Sequence, residues 1–358
     1  MRLGIIGLPN SGKTTIFNAL TGANRPTGAT STGKMEVFTA VVPVPDPRID
    51  KLSAMYNPKK TIYATITYTD IGGLEKGISA GGISGELRNQ LQQVEGFIHV
   101  VRAFEDETVP HPDVTIDPAR DLNTVDGEFL LADLITVERR LERMVEERKR
   151  TKIANPTQYE TEAELLNRFK TQLDALQPLR DLEVGEEELK IVRGYGLLSL
   201  KPVLVVFNAG DQPYDFGHLA YHHQKTRVAS LQGKIEAEIA QLSGEDQALF
   251  LAEYGIAEPG SRKVIRESYE LMHIHSFFTV GPDEVRAWTI PLGATAQESA
   301  GVIHSDLARG FIRAEVTPYA DLIALGSEAE VKKQGKMRLE GKEYIVKDGD
   351  IVHIRANV

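Results

Sequence analysis

Residues 7–14, Gly7-Leu8-Pro9-Asn10-Ser11-Gly12-Lys13-Thr14, constrain the chain more than any other stretch. They follow the apolar segment Leu3-Gly4-Ile5-Ile6 and precede Thr15-Ile16-Phe17-Asn18-Ala19-Leu20, which reads as helix. G-x-x-x-x-G-K-[ST] between a strand and a helix is the P-loop pattern. Gly7 and Gly12 permit backbone angles and close approaches that a Cβ obstructs. The backbone of Asn10, Ser11, Gly12, Lys13, Thr14 and Thr15 then wraps a phosphate at the helix N-terminus. Lys13 is expected to neutralise β and γ oxygens, and Thr14 to place its hydroxyl on Mg²⁺. An α/β fold follows, a P-loop NTPase doubly wound sheet.

A second motif lies one strand later. Residues 61–69 alternate in part like a strand and end in Asp70-Ile71-Gly72-Gly73. An Asp at a strand end, facing the metal's water shell, has the Walker-B role. Gly73 lets a backbone N–H reach the γ-phosphate. Leu74 stands where Ras-type GTPases carry the Gln that orients water, and leucine cannot hydrogen-bond water. Six glycines fall within 72–85, the composition of a switch loop.

A third motif concerns the base. Val203-Leu204-Val205-Val206-Phe207 is a continuous apolar run, as in parallel strands buried on both faces. It ends in Asn208-Ala209-Gly210-Asp211, where GTPases read guanine with N-K-x-D. Asp211 argues for guanine, whose donors a carboxylate accepts; Ala209 in place of Lys argues against the usual guanine pocket. Arg227-Val228-Ala229-Ser230 takes the place of the loop that closes the base pocket, with Ser230 as candidate contact.

The combination resembles the Obg-related YchF family, the Obg-like ATPases of the translation-factor GTPase class. The resemblance extends through 41–48 (VVPVPDPR), 99–105 (HVVRAFE), 284–291 (EVRAWTIP) and 341–350 (GKEYIVKDGD), and so covers nearly the whole chain. It implies a nucleotidase that prefers ATP to GTP, an inserted α-helical hairpin, a C-terminal β-grasp (TGS) domain and association with ribosomes. Three departures stand out. Asp211 replaces the family's usual Glu and reopens the question of ATP or GTP. Lys34 falls at the first-switch Thr that binds Mg²⁺, with Thr30, Ser31 and Thr32 nearby. Glu75 follows Leu74 where the family has Val. The resemblance also points to His111 as the loop His that positions water, and to Asn10 as a helper in binding K⁺.

The remaining residues organise the chain. Leu130, Leu134, Val137, Leu141 and Met144 form one heptad-like seam. Leu166, Phe169, Leu173 and Leu176 form another beyond the Asn155-Pro156 break. Two antiparallel helices follow. The first carries Arg139, Arg140, Arg143, Arg148, Lys149, Arg150 and Lys152. Interleaved glutamates make most of that face a solvated one, and leave the acid-free tip at 148–152 as the candidate RNA contact. Lys332, Lys333, Lys336 and Arg338 form a second basic group. The expected domains are a nucleotide-binding domain at 1–127 and 191–280, the helical insert at 128–190, and the TGS domain at 281–358. His222-His223 and His273-x-His275 lack the companions of a metal site.

Composition narrows the class. The net charge is −10, which removes a chain-wide basic footprint for nucleic acid. With no Cys, thiol nucleophiles, disulfides and iron–sulfur clusters are excluded. No apolar run reaches membrane-spanning length and no cleavable signal pattern appears, so a cytoplasmic location is expected. The reading is a slow, Mg²⁺-dependent ATPase switch, with GTP also in reach, whose loop around 71–85 reports hydrolysis to a ribosome-like partner. The rivals are a nucleotide-gated ribosome- or RNA-binding module with negligible turnover, and a GTP-specific GTPase.

Overall fold

The computed structural model describes residues 1–27, 37–72, 83, 85–150 and 155–357. Among these the strands, in chain order, are β1 (Arg2–Ile6), β2 (Val37–Pro43), β3 (Lys60–Ile62), β4 (Thr65–Ile71), β5 (Gly96–Ala103), β6 (Val203–Ala209), β7 (Thr226–Leu231), β8 (Ile274–Thr279), β9 (Glu284–Pro291), β10 (Phe311–Pro318), β11 (Arg338–Glu340) and β12 (Asp350–Ala356). The chain divides into two compact units, Met1–Val41 with Thr67–Val264, and Val42–Ile66 with Ile265–Val358.

The first unit is built on a sheet of order β2-β4-β1-β5-β6-β7. From β4 to β7 every pair runs parallel. Parallel strands covered on both faces need continuous apolar sequence, and all seven residues of β6 are buried. The chain leaves β1 towards one edge and β5 towards the other. The crevice between their C-terminal ends is thus a topological switch point, where α/β sheets bind ligands. The loop at 7–12 follows β1 into that crevice.

The helix Pro118–Arg150 serves two cores. Leu122, Val125 and Phe129 pack on the sheet, with the Phe129 ring 5.1 Å from that of Phe97. Leu130, Val137 and Met144 join Leu165, Leu166, Phe169 and Leu173 of the helix Pro156–Asp174. The hairpin is antiparallel: Glu138 pairs with Lys170, Arg140 with Glu162, and the Tyr159 hydroxyl donates to Met144 O. Buried Asp133 fastens the returning chain, accepting from Leu198 N at 2.8 Å and from Ser199 N and Oγ at 2.7 Å. Burial holds its carboxyl up at about 6 against those three donors.

Three expectations change here. The helix begins at Pro118 rather than near 128, because its first turns belong to the sheet core. Leu176 leaves the seam: it lies beyond the helix end at φ 57° and is 75% exposed, while Leu165 takes the buried place. Residues 42–66 group with the C-terminal part, not with the rest of 1–127.

The second unit has a sheet of order β11-β10-β12-β8-β9-β3. Phe277, Ile290, Ala314, Val316 and Val352 form its core, with Ala296 from the helix Ala296–Ile303. Arg48 ties 42–66 to the C-terminal segment, bridging Asp46 at 2.8 Å and Asp348 at 2.7 Å. The basic group at 332–338 is largely paired: Lys333 with Glu330, Lys336 with Asp321 and Arg338 with Glu340. On the hairpin, Arg140 is held by Glu147 and Glu162, and Lys149 by Glu146. Lys152 lies outside the described residues. His223 pairs with Asp181, and His275 is buried against Val346 O, so both are structural.

The seam gives a direct test. Phe169→Ala should destabilise the hairpin by about 3–5 kcal/mol, whereas Leu176→Ala should stay within about 0.5 kcal/mol of the parent. The shift of the urea unfolding midpoint measures both.

Candidate functional site

The loop after β1 is held open by its backbone. Gly12 sits at φ 88° and caps the helix Lys13–Thr21. A Cβ on Gly12 would lie 2.1 Å from Asn208 Nδ2, and one on Gly233 would lie 2.5 Å from Asn208 Oδ1. The Asn208 side chain fills the space between those two glycines. It donates to Ser11 O at 3.0 Å and accepts from Gly233 N at 3.2 Å. Asn208 opens the motif expected near the base. Its buried amide braces the loop, with both its oxygen and its nitrogen engaged.

Lys13 starts the helix and folds back over the loop, donating from Nζ to Gly7 O at 3.1 Å and Leu8 O at 2.9 Å. Thr14 and Thr15 stand half-buried in the same first turn. The Thr14 hydroxyl donates to Asp70 Oδ2 at 3.0 Å. Parallel pairing of Ile5 with Asp70 brings the carboxylate beside the loop. Burial raises the Asp70 pKa, while Thr14, Lys13 and Arg25 oppose that rise. A hydroxyl and a carboxylate are hard oxygen donors, the set that suits Mg²⁺. The residues present therefore fit the expected metal.

Arg25 was missed from the sequence. Its Nη1 donates to Asp70 Oδ2 at 2.8 Å, and its guanidinium lies 3.2 Å over the Phe38 ring. No motif flags it, because a lone arginine after a helix carries no pattern.

Other expected residues are placed differently. Asn10, the K⁺ candidate, has φ 60° and donates its side-chain amide to Pro110 O at 2.9 Å. The His111 side chain is only 3% exposed. Its Nδ1 accepts from Asp113 N at 3.1 Å, which puts the ring proton on Nε2, 2.8 Å from Asp121 Oδ2. Both ring nitrogens are engaged, so the expected water-positioning role is not supported by this geometry. Ser230 lies in β7 rather than in a loop, and its hydroxyl accepts from Tyr214 N at 2.8 Å. Ala209 is buried at the end of β6. Asp211 is exposed and its carbonyl accepts from Gln232 Nε2 at 2.6 Å. Gly73, Leu74 and Lys34 lie outside the described residues.

Beside the loop, Ser11, His99, Arg102, His111 and Asp121 gather with Leu8, Pro9, Val100 and Val101 around a pocket too small to hold a water. Ser11 Oγ, His99 Nδ1 and Arg102 Nη1 are buried without a hydrogen-bond partner among the described residues. Arg102 stacks on Phe104 at 4.4 Å and donates to the carbonyls of Phe104 and Asp106. His111, Asp113 and Asp121 cluster closely enough to hold an ion, yet Arg120 already pairs with both carboxylates.

A family model described as 50S ribosome-binding GTPase matches residues 2–123, and the YchF-GTPase C-terminal model, described as a protein of unknown function, matches 274–357. The Ribosome-binding ATPase YchF of Bacillus subtilis is 41% identical over 367 residues, covering 99% of both chains. That of Escherichia coli O157:H7 is 38% identical, covering 100% of this chain and 99% of its own. The chain belongs to the YchF family. The solved structure of the Schizosaccharomyces pombe YchF GTPase matches it with a TM-score of 0.82 at 30% identity, over 99% of this chain and 97% of that one. The Obg-like ATPase 1 of Oryza sativa subsp. japonica is 35% identical over 100% of this chain and 92% of its own. Within this YchF chain the matched range 2–123 holds the loop, Asp70 and the His111 segment.

His99 supplies a pH test. Burial holds its imidazole down at about 4, from an ordinary 6.5. A depressed folded pKa stabilises fully above the unfolded value and is lost as pH falls through the folded one. Between pH 7 and 4.5, the unfolding free energy should fall about 2–3 kcal/mol further in the parent than in His99→Gln. Urea titrations at the two pH values measure the difference.

Proposed function

We propose that this chain is a ribosome-associated, Mg²⁺-dependent nucleoside triphosphatase that hydrolyses ATP to ADP and phosphate. The observation that carries the reading is Thr14 Oγ1 lying 3.0 Å from Asp70 Oδ2 beside the Lys13 loop, at the switch point of a parallel sheet. ATP over GTP is supported by Ala209, which lacks the lysine stem of the guanine pocket, and by the ATPase names of the Bacillus and rice relatives. Ribosome association is supported by the names of the bacterial relatives and by the family description matched at 2–123.

Lys13 exchanges its two loop carbonyls for β and γ oxygens, and the amides of residues 10–15 hold the phosphate chain. Thr14 and Asp70 would hold Mg²⁺, which would supply neutralisation of the developing phosphate charge. Gly73 is the proposed γ-phosphate sensor, and Asp211 marks the edge of the base site. The C-terminal unit is read as TGS-type, and the location as cytoplasmic. No helix among the described residues is long and apolar enough to cross a membrane.

A nucleotide-gated binding module with negligible turnover is the second reading, favoured by the engaged nitrogens of His111. Single-turnover hydrolysis with and without ribosomes separates the two: ribosome-stimulated phosphate release supports the enzyme, and its absence supports the module.

Lys13→Ala should weaken binding of labelled ADP about 100-fold or more; retained binding would overturn the loop assignment. Titration of the nucleotide-stripped protein with labelled ADP and GDP in Mg²⁺ and K⁺ tests the base. ADP should bind about tenfold tighter or better. A GDP preference would make Asp211 a guanine reader and the chain a GTPase.

A further inference from the structure

Arg25 is placed by a built arrangement. Its backbone N–H donates to Asn18 Oδ1 at 3.1 Å, and its carbonyl accepts from Asn18 Nδ2 at 2.9 Å. Asn18 is itself buried in the helix Lys13–Thr21. The backbone is thus pinned at both its polar groups, while the guanidinium reaches over Phe38 to Asp70. The oxygen it meets is Oδ2, the same atom that accepts from Thr14. An arginine at 2.8 Å and a divalent cation drawn to that carboxylate need the same face of it.

We propose that Arg25 is a built-in rival of the divalent cation: its guanidinium and Mg²⁺ compete for Asp70, and this competition sets how much Mg²⁺ nucleotide binding requires. The inference rests on the metal site proposed above. The Asp70 carboxylate is buried, and a buried carboxylate without a cation is costly. Arg25 keeps that charge matched at low Mg²⁺. When the metal binds, the guanidinium gives up Oδ2. Rotation of the side chain is enough, because Asn18 holds the backbone and Phe38 offers a ring face for the cation. The pair therefore trades metal affinity for a site that stays assembled without the metal.

The test measures binding of labelled ADP across a Mg²⁺ titration, together with the thermal midpoint in EDTA. In Arg25→Gln the half-saturating Mg²⁺ concentration should fall about tenfold, and the midpoint in EDTA should drop while added Mg²⁺ restores it. Arg25→Lys, which keeps the charge, should stay nearer the parent in both. If Arg25→Gln fails to fold, Arg25→Met is the substitute; it keeps the stem and drops the charge, and should likewise lower the Mg²⁺ requirement about tenfold. An unchanged or raised Mg²⁺ requirement in the variant that folds overturns the proposal. Parent ADP binding that ignores Mg²⁺ would instead overturn the metal site itself, and the Arg25 inference with it.

Discussion

One buried amide organises the loop end of the first unit. Asn208 closes β6, and its side chain joins the loop at Ser11 O to the segment after β7 at Gly233 N. Gly12 and Gly233 are both needed, since a Cβ on either meets the amide at 2.5 Å or less. Three chain segments far apart in sequence are fixed by one residue. Removing the amide leaves a buried carbonyl and a buried N–H unmatched, each worth about 1–3 kcal/mol. The loop's shape is therefore a property of the sheet, not of its glycines alone.

Charge organises the adjoining side. Asp70 is buried, and its neighbours Thr14, Lys13 and Arg25 all favour the ionised form against the cost of desolvation. A single carboxylate thereby orders the first turn of the helix, the end of β4 and the segment that carries Arg25. Further in, Ser11, His99 and Arg102 are buried, each with one polar atom that has no partner among the described residues. A site of this kind is arranged around compensation of negative charge, as phosphate chemistry requires.

The motifs were legible because local spacing carries them. The loop at 7–14 and the apolar run before Asn208 appear where the sequence puts them, and Asp70 lies at the end of β4, although the single strand expected at 61–69 is two, β3 and β4, in different sheets. What escaped depends on contacts distant in sequence. Arg25 meets Asp70 across 45 positions, and nothing in its neighbours marks that. Asn208 belongs to a recognisable motif, yet its partners at 11 and 233 follow only from folding. Ser230 reads as a loop residue because the edge strand β7 is half exposed and its pattern is weak. The start of the helix at Pro118 was hidden because its first turns face the sheet and its later turns face the hairpin, so no single seam runs through it. The grouping of 42–66 with the C-terminal unit rests on β3 pairing with β9, a match no local pattern encodes.

The central claim is that Thr14 and Asp70 together form the metal end of a nucleotide site. Asp70→Asn tests it most directly, because the substitution keeps the shape and removes the charge. Labelled ADP should be titrated with and without Mg²⁺ on the parent and the variant. The expected result is that Mg²⁺ tightens binding to the parent, and that the variant loses about tenfold or more of that gain. An undiminished Mg²⁺ response in Asp70→Asn would contradict it.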